Sequence, residues 1–403
     1  MNLRNHIHLA LGYFITAAFL GLLLRSFQIF EFPFNYKFIV HGHSHIALLG
    51  WVYVGLTTLL FKLFLVQEGL NREYRRIFWF TQITLVGMLV TFPFQGYAFF
   101  SIVFSTLFLI ASYWFTWFFV KNVPVGLKRA SSYQCIRFSL MYMVLSSIGP
   151  WLLGIIMNTL GPGSVWYRLA IYFYLHFQYN GWMVLALMGL FFYVLEQRNI
   201  IIPKKMFTTF FWSMNLGIVF TFFLSTLWTN PPVIMFAMGG LGAFFQIIAF
   251  GILIGVGLKS DKKLIEVFSP FQKNVFLMAT IFIGIKILLQ LMTAFPYFSN
   301  LAATIIDFTI GYLHWTFLGV VSISLFLFFD YFKLLKLPVI GYFIYLLGFI
   351  TTEVFIFYKG IMAWQRWPLF EDYNRALALV SLLLPMGLIA ILGFNLRIKK
   401  NEI

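Results

Sequence analysis

Cysteine is all but absent. Cys135 is the only one, so the chain can form no intramolecular disulfide and no thiolate cluster on a metal. Charge is nearly as scarce: 10% of the 403 residues are Asp, Glu, Lys or Arg, against roughly a quarter in soluble domains. No cleavable signal is expected, because the first apolar run is long and lacks a small-residue cleavage motif, so it stays as a helix. Walker and dinucleotide motifs are missing. The run Gly239-Gly240-Leu241-Gly242 lies inside an apolar segment with no strand before it, and reads as close helix packing. No polar stretch is long enough for a soluble extramembrane domain.

Apolar surface takes the place of what is lacking. The composition is 61% hydrophobic and 21% aromatic, with 53 Phe and a mean hydropathy of +0.90. No soluble core needs that much, so the Phe excess reads as lipid-facing surface and filler between helices. Twelve runs of about twenty apolar residues or more follow. They cover roughly 9–30, 38–64, 77–97, 99–120, 136–160, 166–195, 206–228, 233–257, 274–295, 304–329, 337–358 and 375–396. The split between the third and fourth rests only on Pro93, Gln95 and Gly96. The expectation is an all-α polytopic membrane protein, residues 1–403 forming one twelve-helix domain.

The basic residues orient it. With the N-terminus inside, 21 Lys and Arg fall in inner loops and tails, Lys262, Lys263, Lys399 and Lys400 among them. Five fall outside (Lys37, Arg168, Lys359, Arg366 and Arg375), and Arg25 and Lys286 lie within spans. Such a bias predicts both termini in the cytoplasm. It also accounts for the net charge of +16 without a nucleic-acid partner.

Five of the seven histidines sit in apolar runs, where an unpaired polar group costs several kcal/mol. Three crowd Tyr36–Trp51: His41, His43 and His45. At about 100° per residue, His41 and His45 share a face and His43 points nearly opposite. Gly50, about two turns beyond His43, would clear room on that face for a flat ligand. His176 in the sixth span and His314 in the tenth lie about ten residues below their outer ends, so all three histidine-bearing spans carry them in the outer half of the membrane. His6 and His8 sit at the N-terminal edge.

These motifs resemble subunit I of the heme–copper oxidases, most closely the cbb type. The span-ten run Asp307-Phe308-Thr309-Ile310-Gly311-Tyr312-Leu313-His314, followed by Leu318 and Gly319, is similar to the family's, with His314 at the axial ligand of the low-spin heme. His43 with Gly50 fits the other axial ligand, and His176 with Gly189 repeats the thirteen-residue interval of a copper ligand. The resemblance implies the family's twelve-helix arrangement in a bacterial-type inner membrane. It also implies a low-spin bis-His heme b on His43 and His314, and a cytochrome or quinol as electron donor. The lack of Cys-x-x-Cys-His excludes covalent c-type heme. The departures fall on the dioxygen site. Tyr312 stands at the high-spin heme ligand, Ser225 and Thr226 stand where adjacent copper histidines are expected, and one metal ligand of four remains, so copper is not expected.

Each residue has a second reading. His45 is the alternative to His43, and the pair His41 and His45 could chelate a metal at four-residue spacing. His176 also reads as an interhelical hydrogen-bond partner, the commoner role of a lone intramembrane histidine. Tyr312 could ligate a heme iron or only donate a hydrogen bond. Asp307 reads as a helix cap. Arg25, Arg366 and Arg375 lie toward the face where the family binds heme propionates, although Arg25 could simply snorkel. Lys286 and Glu353 call for a partner or a polar pathway. Two function classes follow. One is a heme protein for electron transfer or nitric oxide binding that does not reduce dioxygen; the other is a transition-metal transporter or non-catalytic scaffold on the same fold.

Overall fold

Among the described residues, twelve helices are long and apolar enough to cross a membrane, the number that the sequence pattern predicts. They are Leu3–Ser26, Tyr36–Phe64, Leu70–Gln95, Phe99–Asn122, Ser131–Thr159, Val165–Gln197, Lys204–Thr229, Val233–Gly257, Pro270–Met292, Ile306–Tyr331, Val339–Gln365 and Tyr373–Arg397. The computed structural model describes residues 2–65, 69–259 and 267–398, and no strand occurs among them. Lys262, Lys263, Lys399 and Lys400 lie outside the described residues. The chain is a polytopic, all-helical membrane protein.

Local chemistry sets the boundaries. Span one starts at Leu3, earlier than expected, because the Asn2 side chain accepts from the Arg4 amide at 3.2 Å. His6 and His8 therefore lie inside a helix rather than at its edge. Asn35 caps span two through the Lys37 amide at 2.9 Å, and a Ser269–Gln272 capping box with Pro270 opens span nine. Spans three and four divide where Pro93, Gln95 and Gly96 predict. Gly96 has φ +60°, and the Phe38 ring fills the space a Cβ would need. One expected cap is corrected: the N-cap of span ten is Ile305, so Asp307 sits in the first turn and complements the helix dipole instead.

Burial sorts the spans. Span three shows an outward stripe of Trp79, Ile83, Val86 and Val90, spaced as one helix face and fully apolar, which suits lipid rather than water. Spans two, six and ten are the interior ones: 83%, 94% and 67% of their apolar cores are buried, and no other span exceeds 56%. Each interior span changes hydrogen bonding directly after a histidine. The α-helix gives way to eight residues of wider π-helix over Ile46–Tyr53 after His45, Phe177–Val184 after His176 and Trp315–Ser322 after His314. Such segments inside α-helices cluster at functional positions.

The described residues form two compact units, those within Met1–Pro124 and Leu325–Ile403, and those within Val125–Ser324. In the first, Trp51 stacks on Phe14 at 4.7 Å and meets Phe326 and Phe329, and Lys62 donates to the Phe332 carbonyl. In the second, Glu196 holds the start of span five through the Ser132 amide at 2.9 Å and the Ser132 hydroxyl.

Candidate functional site

The histidines of span two divide between two faces, as the helical period predicts. His41 and His45 lie against Phe92 and Tyr97: the His45 ring stacks on Phe92 at 4.3 Å and the His41 ring meets Tyr97 edge-on at 4.6 Å. His43 turns the other way, toward span one, where its Nδ1 is 2.8 Å from the Ala17 carbonyl oxygen. A carbonyl only accepts, so Nδ1 carries the proton and Nε2 the lone pair, the tautomer an axial ligand needs. Gly21 makes the space, since a Cβ there would come within 3.1 Å of His43 Cε1. His45 has the same tautomer by a different route: its Nδ1 donates to the His41 carbonyl at 2.8 Å and Nε2 faces the Tyr97 hydroxyl at 3.3 Å. All three rings are half-buried. The room expected at Gly50 is taken up: Gly50 does face span one, but a Cβ on it would come within 2.7 Å of Tyr13, so Tyr13 fills that space.

A pattern that histidine-to-glycine intervals of seven and thirteen had hidden emerges from the π segments. Each interior span reads His, four residues, Gly: His45 to Gly50, His176 to Gly181 and His314 to Gly319. Spans three, seven and eleven echo it with Phe, three residues and a buried polar group: Phe78 to Gln82, Phe211 to Asn215 and Phe349 to Glu353. Two of these copies agree in detail. A Cβ on Gly50 would meet Tyr13 at 2.7 Å and one on Gly181 would meet Tyr142 at 2.6 Å. Tyr13 donates to Gln82 Oε1 at 3.0 Å, and Tyr142 donates to Asn215 Oδ1 at 3.0 Å. In this register His45, not His43, corresponds to His176 and His314.

His176 has a different setting. It is fully buried; its Nε2–H donates to the Ile218 carbonyl at 2.8 Å, and Nδ1 faces the Ser225 hydroxyl at 3.4 Å and the Asn180 amide at 3.3 Å. Both ring nitrogens face protein groups, and the bond to Ile218 joins span six to span seven. Asn180 also accepts from Lys286, the partner that sequence alone left unnamed. The buried amine donates a second bond to Gln290 Oε1 at 2.6 Å, and Tyr312 donates to the same oxygen at 3.2 Å. The Tyr179 ring stands edge-on to Tyr312, with centroids 6.3 Å apart. His176, Ser225 and Tyr312, the residues at three of the positions where the resemblance expects metal ligands, thus meet in one hydrogen-bonded network around an amine. Thr226 stands apart, donating to the Phe223 carbonyl at 2.8 Å.

The remaining predicted residues are elsewhere. His314 is half-buried at the last α-helical residue before its π segment. Arg366 caps span eleven in the left-handed conformation at φ 57°, and Arg375 pairs with Asp372 at 3.3 Å; both arginines are exposed. Glu353 is within electrostatic reach of Arg25. Among the described residues no three His, Cys, Asp or Glu side chains stand together as a metal site. The chain matches no family model and no curated protein.

Proposed function

We propose that this chain is a heme-binding membrane protein on the plan of heme–copper oxidase subunit I, holding one low-spin heme b through His314 and His43. It passes electrons from a cytochrome or quinol donor and does not reduce dioxygen. The observation that carries the heme reading is the seating of His43: a half-buried imidazole with its Nδ1 proton anchored on Ala17 and its lone pair on Nε2. When bound, the heme would supply one-electron chemistry, and the chain would supply two neutral imidazoles that saturate the iron. The network around Lys286 supports the loss of dioxygen chemistry, because His176, Ser225 and Tyr312, which stand where the resemblance expects metal ligands, are hydrogen-bonded into protein groups around an amine. The shared register of His45 and His314 favours a second reading, with His45 as the span-two ligand.

The test is the visible spectrum of the full chain purified from heme-replete cells. A sharp reduced-minus-oxidised band, unmoved by carbon monoxide, is expected. Colourless protein would overturn the proposal and leave the scaffold or transporter class.

A further inference from the structure

Copies one and two share the tyrosine-to-amide bond, but they finish it differently. In copy two the other end of the amide is anchored: Asn215 Nδ2 donates to the Phe211 carbonyl, one helical turn back, at 2.7 Å. Phe78 stands at the equivalent place before Gln82. Yet Gln82 Nε2 has no hydrogen-bond partner, although the residue is 4% exposed. A buried amide N–H left open forfeits its bond to water without replacement, so such groups are ordinarily satisfied, by ordered water where protein does not reach.

The space for water is there. Gln82 lines a cavity of about 10 Å³ between spans two, three and four, together with Tyr53, Thr57, Tyr74 and Thr81. That is about the least volume that holds one water molecule, which also needs two to four polar partners. Three of the surrounding hydroxyls have the right polarity. Thr57 donates its proton to the Tyr53 carbonyl at 2.7 Å, Thr81 to the Ile77 carbonyl at 2.9 Å, and Tyr74 to the Thr58 hydroxyl at 3.2 Å. With their protons committed, their oxygens present lone pairs.

We propose that this cavity is a binding site for a single structural water. Its oxygen accepts from Gln82 Nε2, and its two hydrogens go to hydroxyl oxygens of the lining. The water does for Gln82 what the Phe211 carbonyl does for Asn215. It also joins the Tyr13–Gln82 pair to the Tyr74–Thr58 pair in one hydrogen-bonded chain crossing spans one, two and three. The site is independent of the heme reading, since none of its residues is a proposed ligand.

Two measurements test it. In a structure of the full chain in lipid nanodiscs, at a resolution that shows ordered water, one peak is expected within about 3 Å of Gln82 Nε2. An empty cavity, an ion in place of water, or the Gln82 amide turned onto the Phe78 carbonyl would each overturn the proposal. Hydroxyl-radical footprinting needs no such resolution. Tyr53, Tyr74 and Phe115 around the cavity should be labelled severalfold above the equally buried Phe92 and Tyr345, and Gln82→Leu should remove that excess. Labelling of the wild type at the level of the two controls overturns the proposal even where the variant fails to fold.

Discussion

The first and second histidine copies place the same backbone device in two chemical settings. Between histidine and glycine the first has Ile46, Ala47, Leu48 and Leu49, and the second has Phe177, Gln178, Tyr179 and Asn180. The glycine meets a tyrosine of the preceding span in both, and the π segment begins at the same place. Glycine and tyrosine therefore maintain the frame, and the residues between set the chemistry. Where they are apolar, His43 and His45 stay half-buried with Nε2 carrying the lone pair. Where they are polar, Gln178 reaches Ser146 at 2.9 Å, Asn180 takes Lys286, and His176 is locked from both sides. The third copy, with Trp315, Thr316, Phe317 and Leu318, resembles the first at the position before the glycine.

The sharpest way to break this contrast is through the histidines. His314→Ala should abolish the heme, and so should His43→Ala, whereas His41→Ala should leave the spectrum nearly unchanged. His176→Ala should keep the heme, because both of its nitrogens are already used by protein. Heme-to-protein ratios of the purified variants decide the matter. Heme lost from His45→Ala but kept in His43→Ala would move the ligand to the register of the copies, and full heme without His314 would defeat the proposal.

The frame itself gives the next largest effect. Gly50→Ala and Gly181→Ala each bring a methyl group within 2.7 Å or less of a tyrosine Cβ, too close for either backbone to stay in place. Each should cost about 3 kcal/mol, the upper end of ordinary overpacking. Thermal unfolding in mild detergent measures it, and a large difference between the two would mean that the copies are not equivalent.

Asn180→Leu converts the second copy toward the first and third. Alone it strips Lys286 of one of its two acceptors, which should cost about 2–3 kcal/mol. Adding Lys286→Met removes the stranded amine, so the double variant should be more stable than Asn180→Leu by itself. That sign of coupling is specific to a shared network. Simple addition of the two losses would show that Lys286 is held by something other than Asn180.

Twelve spans were legible because twenty apolar residues in a row admit one solution in lipid, and the opposite faces of His41 and His43 follow from helical rotation alone. The partner of Lys286 was not: Asn180 is 106 residues away, and no local pattern encodes a contact of that range. The cap assigned to Asp307 failed because the side chain that suits an N-cap also suits the first turn. The repeat could have been seen, since His-x-x-x-x-Gly recurs three times in the sequence. Pairing His43 with Gly50 and His176 with Gly189 used intervals that do not recur and so concealed it.

The smallest expected effect bears on the amide anchors. Tyr142→Phe removes the hydroxyl that donates to Asn215 Oδ1, and the Asn215 amide cannot turn to find another donor because its nitrogen is tied to the Phe211 carbonyl. The orphaned oxygen should cost about 1 kcal/mol. Tyr13→Phe removes the matching donor from Gln82, whose nitrogen has no such tie within the protein. That nitrogen is tied only to the cavity water, which shifts more easily than a backbone carbonyl, so the amide can move to relieve its orphaned oxygen and the loss should be smaller, about 0.5 kcal/mol. The two variants differ from wild type by one hydroxyl each, so the gap between their unfolding midpoints measures the freedom of the amide and little else. Equal losses would mean that Gln82 is held as tightly as Asn215, and that the two copies differ in sequence but not in how they fix their polar cores.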